Sequence, residues 1–144
     1  MILDVRKSCK QIPYLKYYHF YIVAITDKIA RFNSLSEEKE FVALHAKRST
    51  ILANLSNLKK SLDGLCKDNP VLRSFERIET KIDRKMEQLE AASDAVCSYF
   101  TKMGGDPLND SEYDQYCDVA TNLIGEIEIL RESYHDILKA KGLI

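Results

Sequence analysis

Glu132-Ser-Tyr-His135 is the one place in this chain where a glutamate precedes a histidine by three residues. On a helix that spacing puts a carboxylate and an imidazole on one face, as carboxylate-bridged dimetal bundles require. Such centres need two of these motifs and two further glutamates, all facing inward. His19 and His45 are preceded at the same distance by Lys16 and Val42. The inward positions around the motif are Ile127, Leu130, Tyr134 and Ile137, so Glu132 faces away from the seam and His135 only flanks it. No metal site and no cofactor are expected.

The four cysteines, Cys9, Cys66, Cys97 and Cys117, form no CxxC pair. None is paired in sequence with a nearby histidine. With no signal-peptide pattern at the N-terminus, they are expected to be reduced thiols in a cytoplasmic or host-cell intracellular setting. Gly104-Gly105 is followed by Asp106-Pro107, without the Lys-Ser/Thr of a phosphate loop. No catalytic residue is therefore assigned, and the chain is expected not to be an enzyme. A metal-binding or enzymatic bundle stays as the alternative reading.

Lys47-Arg48, Lys59-Lys60 and Lys67 raise a second alternative, a nucleic-acid binder using the basic N-terminal half. The pairs are offset by 11 or more residues, and the net charge is −1, far from the basic balance of such proteins. Nucleic acid is not expected as a partner. The neutral total hides a polarity. Residues 1–67 hold 12 basic and 6 acidic side chains, and residues 68–144 hold 9 and 16. That is read as a basic first helix lying against an acidic fourth, with recruitment of an oppositely charged partner by one half as the alternative.

The elements that must carry these residues are legible as seams. Apolar residues recur at alternating steps of three and four in four stretches. They run Leu15–Phe32, Phe41–Leu65, Val71–Met103 and Tyr113–Ile137. A mean step of 3.5 residues places each set on one helical face with a left-handed drift. Helices are predicted over about 13–32, 36–63, 70–103 and 110–140, after a short arm, 1–12, that Pro13 ends. Ser34 with Glu37, or Ser36, is expected to cap the second helix, and Gly64 to end it. Asn69-Pro70 should start the third, Gly104-Gly105 should stop it, and Asn109, Asp110 or Ser111 should cap the fourth.

The links are short, which makes consecutive helices antiparallel neighbours. The expected architecture is all-α: one domain, 1–144, an up-down-up-down antiparallel four-helix bundle with coiled-coil-like heptad packing. No apolar run approaches the 18 or so residues of a membrane span, so no membrane is expected. The length of residues 36–142 and their three long helices resemble a spectrin-type repeat. Those repeats carry core tryptophans and this chain has none, so no family is assigned.

Arg48 and Lys85 interrupt two of the seams. If antiparallel packing brings them to one layer, they set register or oligomer state; otherwise they snorkel outward. The segment 13–32 is the least ordinary. Tyr14, Tyr17 and Tyr21 form a second stripe one residue off its seam, and Phe20 adds apolar surface elsewhere. A helix apolar nearly all round is central in a bundle or covered on two sides. Tyr14, Tyr17, Phe20 and Tyr21 are therefore the predicted protein interface. The partner is expected to be another protein chain, either a second copy in a homodimer or a heteromeric partner. The functional expectation is a helical-bundle protein acting through protein–protein interaction as an adaptor, assembly subunit, chaperone or inhibitor.

Overall fold

The computed structural model describes residues 31–67 and 71–144, and all of their regular structure is helical. A 3₁₀ turn at Phe32–Leu35 precedes three long helices: α1, Lys39–Lys67; α2, Leu72–Lys102; and α3, Ser111–Ala140. These are the second, third and fourth helices read from the seams. The arm 1–12 and nearly all of the segment 13–32 lie outside the described residues. At that segment's end the expectation is corrected. Arg31 is extended (φ −97°, ψ 146°) and Phe32 opens the 3₁₀ turn.

The cause of that correction is the pull of the core. Phe32 and Leu35 are both buried, and winding Phe32–Leu35 as a tight turn lets two residues three apart point the same way. The capping box is spent in the process. Ser34 Oγ donates to the Arg31 carbonyl instead of capping, and α1 starts at Lys39. At its other end α1 runs through Gly64 to Lys67. Leu65 and Cys66 pack against the core, which offsets the cost of about 1 kcal/mol of a helical glycine.

Asn69 and Pro70 lie outside the described residues, but α2 begins after Val71. The Val71 N–H donates to Tyr134 Oη (2.9 Å), so its backbone stays extended. Gly104, at φ 94°, ends α2, and the Gly105 N–H reaches back to the Phe100 carbonyl. Asp110 is the cap of α3, accepting from the Tyr113 N–H at 3.0 Å. Gly142, at φ 73°, ends α3, with the Leu143 N–H on the Leu138 carbonyl. Both glycines take the left-handed conformation that frees the last carbonyls for such bonds.

The chain runs up, down and up. Glu38 lies by Tyr99 and Arg48 by Ser93, so α1 and α2 are antiparallel. His45 meets Tyr116 and Lys59 meets Glu126, so α1 and α3 are parallel. Ile51, Leu55 and Leu62 of α1, Phe75, Ile82 and Leu89 of α2, and Ile127, Tyr134 and Leu138 of α3 form the main core. A second cluster at one end joins Phe32, Leu35, Phe41, Val96, Tyr99 and Phe100. Every buried residue of α1 lies on the seam read from sequence, Arg48 included. Among the described residues no helix is long and apolar enough to cross a membrane.

Candidate functional site

Helix α1 packs along both of the others, whereas the backbones of α2 and α3 stand further apart and are bridged by side chains such as Phe75 with Tyr134 and Phe100 with Tyr113. Between them lies a groove of about 400 Å³. Met86, Leu89 and Ser93 form the α2 wall, Cys117, Ala120 and Ile124 the α3 wall, and Arg48 of α1 lies at its floor. Seam periodicity explains the floor. A residue at a seam position of the central helix must point between its two neighbours, whatever its charge.

Arg48 is only 3% exposed. Its guanidinium carbon sits 3.9 Å from the centre of the Tyr116 ring. One terminal nitrogen donates to the Tyr116 carbonyl (3.0 Å) and Nε to Ser93 Oγ (3.3 Å). A delocalised cation flat on an aromatic face tolerates burial far better than an ammonium does. Burial raises the Tyr116 phenol above its ordinary range, although Arg48 pulls the other way. No ion pair to Arg48 is made among the described residues. Lys85 is elsewhere: its Nζ contacts Gln88 (3.2 Å) and it lines a separate, polar surface hollow with Lys81 and Arg84. Arg48 and Lys85 do not share a layer, because the antiparallel register sets Ser93, eight residues on, opposite Arg48.

One end of the groove is closed by aromatic rings. Phe32 packs against Phe41, Phe100, Tyr113 and Tyr116 with ring centres 4.7–5.4 Å apart. The backbone brings Phe32 there. Its N–H donates to Asp110 Oδ2 at 2.9 Å, while Oδ1 of the same carboxylate caps α3. The Asn33 N–H and the Arg31 guanidinium both reach Glu112. The Tyr113 hydroxyl faces the thiols of Cys97 and Cys117, and burial, aided by those thiols, holds its phenol well above the usual range. Cys66, Cys97 and Cys117 are free; burial and Asp63 push the Cys66 thiol up, which keeps it protonated and unreactive.

About two turns beyond Ile124, the last α3 residue lining the groove, the two helices are bridged by charge. Arg131 of α3 bonds Glu79 (3.2 Å) and Asp83 (3.0 Å) of α2, and Glu128 on its own helix (3.3 Å). His135 Nε2 lies 3.7 Å from Glu79. The histidine of the Glu132-x-x-His135 motif thus belongs to this clamp and packs edge-on against Phe75. Glu132 is exposed. Among the described residues no group of three or more His, Cys, Asp or Glu is arranged to hold a metal ion.

One further cluster has the outline of a relay. Ser49 Oγ lies 3.4 Å from His45 Nε2, and His45 Nδ1 is 2.9 Å from Tyr116 Oη. The third group is a phenol that its surroundings keep protonated, where a triad needs an anion to hold the imidazolium. Its physical role is to tie α1 to α3.

The sequence-predicted interface residues Tyr14, Tyr17, Phe20 and Tyr21 lie outside the described residues. Of the residues singled out by their types, the structure brings Arg48 and Cys117 to one groove. Ser93 and Tyr116 went unassigned beforehand because neither stands out until the register between helices is known. No protein-family model, no curated protein and no solved structure matches this chain.

Proposed function

We propose that this chain is a non-enzymatic helical-bundle protein that acts by protein–protein contact, as an adaptor, assembly subunit, chaperone or inhibitor. In this reading residues 13–30 supply the first helix of a four-helix bundle, and Tyr14, Tyr17, Phe20 and Tyr21 meet a second chain. The observation that carries it is the groove between α2 and α3. Its buried cation is spent on Tyr116 and Ser93, and Met86, Leu89, Ala120 and Ile124 give it an apolar surface. An apolar seam on the N-terminal segment suits that groove, and the tyrosine stripe, offset by one residue and so about 100° round a helix, would then lie along its flank. Free Cys66, Cys97 and Cys117 suit a reducing, cytoplasmic compartment.

A second copy of the chain is the simplest partner, since two-fold self-association is the commonest closed symmetry. Light scattering should then give twice the chain mass of 16.5 kDa. Tyr14→Ser, Tyr17→Ser and Tyr21→Ser together should keep the helical signal and lower the mass, or release a co-purified partner. A triple variant that unfolds would show the stripe to be core. One that stays folded with its mass and partners unchanged would show it to be ordinary surface. Either result overturns the reading.

A further inference from the structure

We propose that the α2–α3 groove is the seat of residues 13–30 of the same chain, laid in as a helix antiparallel to α3 between the aromatic plug and the Arg131 clamp. The inference rests on the four-helix reading above and specifies where its first helix goes.

Three observations carry it. The first is the point of entry. The chain comes into the described structure at Arg31, tied to Glu112, and at Phe32, whose ring lies between Tyr113 and Phe100 where the groove begins. A segment that ends there and continues along the groove runs opposite to α3. The second is length. Residues 13–30 as a helix span about 27 Å at 1.5 Å per residue. From Tyr113 to Arg131 is also 18 residues of helix, so again about 27 Å. The segment therefore ends, at Pro13, about where Arg131 bridges α3 to Glu79 and Asp83 of α2.

The third is chemistry. Leu15, Tyr18, Ile22, Ile25 and Ile29 form one apolar seam, and the groove offers Met86, Leu89, Ala120 and Ile124 to it. Residues 13–30 carry two basic side chains, Lys16 and Lys28, and one acidic, Asp27, while α3 carries seven acidic and two basic. The opposite net signs favour this pairing. Arg48 then lies beneath the upper part of the segment, with Phe32 and the guanidinium against the same Tyr116 ring, 4.7 and 3.9 Å from its centre.

A cysteine scan of the full-length chain tests this. Cys9, Cys66 and Cys97 are replaced by Ser and Cys117 is kept as the groove probe. Ile22→Cys, Ile25→Cys, Ile29→Cys and Asp27→Cys are added one at a time and oxidised with glutathione disulfide. Ile25→Cys or Ile29→Cys should form an intramolecular disulfide with Cys117. Asp27→Cys, on the opposite helix face, should not. No intramolecular bond at any of the three isoleucine positions overturns the proposal. So does a bond formed only between chains, which would seat a second copy in the groove, or equal cross-linking from Asp27→Cys.

Should the serine background fail to fold, the native cysteines serve. Alkylation of Cys117, followed by peptide mass spectrometry, should accelerate about tenfold in Ile25→Asp, because expelling the segment opens the site locally. An unchanged rate overturns the proposal. The two readings fail separately. If cross-linking fails while the tyrosine triple variant still loses mass, the groove assignment falls and the interaction reading stands. If the cross-link forms and the tyrosines do not affect the mass or partners, the reverse holds.

Discussion

Arg48 carries a formal charge into the interior with a ring, a hydroxyl and a carbonyl as its company. That company makes a distinctive prediction. A lysine at this position cannot reach Ser93 Oγ and the Tyr116 carbonyl together, nor spread over the ring, so Arg48→Lys should cost about 1–3 kcal/mol in urea unfolding. Arg48→Met leaves no carboxylate stranded among the described residues and should stay within about 1 kcal/mol of the natural protein. If Lys is tolerated and Met is not, the charge itself is what the site needs. The tyrosines predict a pH effect. Tyr113 and Tyr116 have phenols raised above the ordinary value of 10.0. The folded state then holds protons that the unfolded state has released. Their stabilisation is complete below pH 10 and is lost as pH climbs toward the folded values. Tyr113→Phe should therefore flatten the fall in urea midpoint between pH 9 and pH 11; an unchanged slope would mean that the hydroxyl is not sequestered. Arg48 was visible in the sequence as an interruption of a seam. Its partners were not, because they are fixed by interhelical register, which one helix's periodicity does not encode.

Helix ends show the same division. The stop at Gly104-Gly105 and a cap within Asn109–Ser111, which falls on Asp110, were legible, since each depends on local backbone chemistry. The capping box at Ser34 and the stop at Gly64 were equally plausible locally and did not form. Burial of Phe32 and Leu35 in one case, and packing of Leu65 and Cys66 in the other, outweighed them. Asp110 is the element-scale test. One of its oxygens starts α3 and the other pins the 3₁₀ turn. Asp110→Ala should cost about 1–3 kcal/mol, above an ordinary lost cap of about 1, and should raise hydrogen exchange at Phe32 as well as Tyr113. Exchange changing at only one of the two would break the link. Gly105 offers a steric counterpart, because a Cβ there collides with the buried Phe100 ring. Gly105→Ala should lower the urea midpoint and disturb the aromatic plug, in keeping with the roughly 1–3 kcal/mol of other overpacking changes.

For the molecule as a whole, the seams gave the all-helical class and the inward faces of the three described helices. Leu55 and Ile127 are fully buried where their heptads put them, and Leu55→Ala or Ile127→Ala should cost about 2–5 kcal/mol. Losses under about 0.5 kcal/mol at both would match surface positions instead. The unequal spacing of the helices was not legible. Antiparallel order is set by short links, but which pair stands apart depends on side-chain bulk at a register known only after assembly. The pin between Phe32 and Asp110 has a bearing on synthesis as well. The two residues are 78 positions apart. At 5–20 residues per second, roughly 4–16 s of translation separate them. Through that interval the Phe32 amide has no Asp110 to receive it, and neither Tyr113 nor Tyr116 has been made to cover its ring. Phe32 must wait, that side of its ring uncovered, until α3 has been made, and a holdase that binds aromatic side chains has its window there.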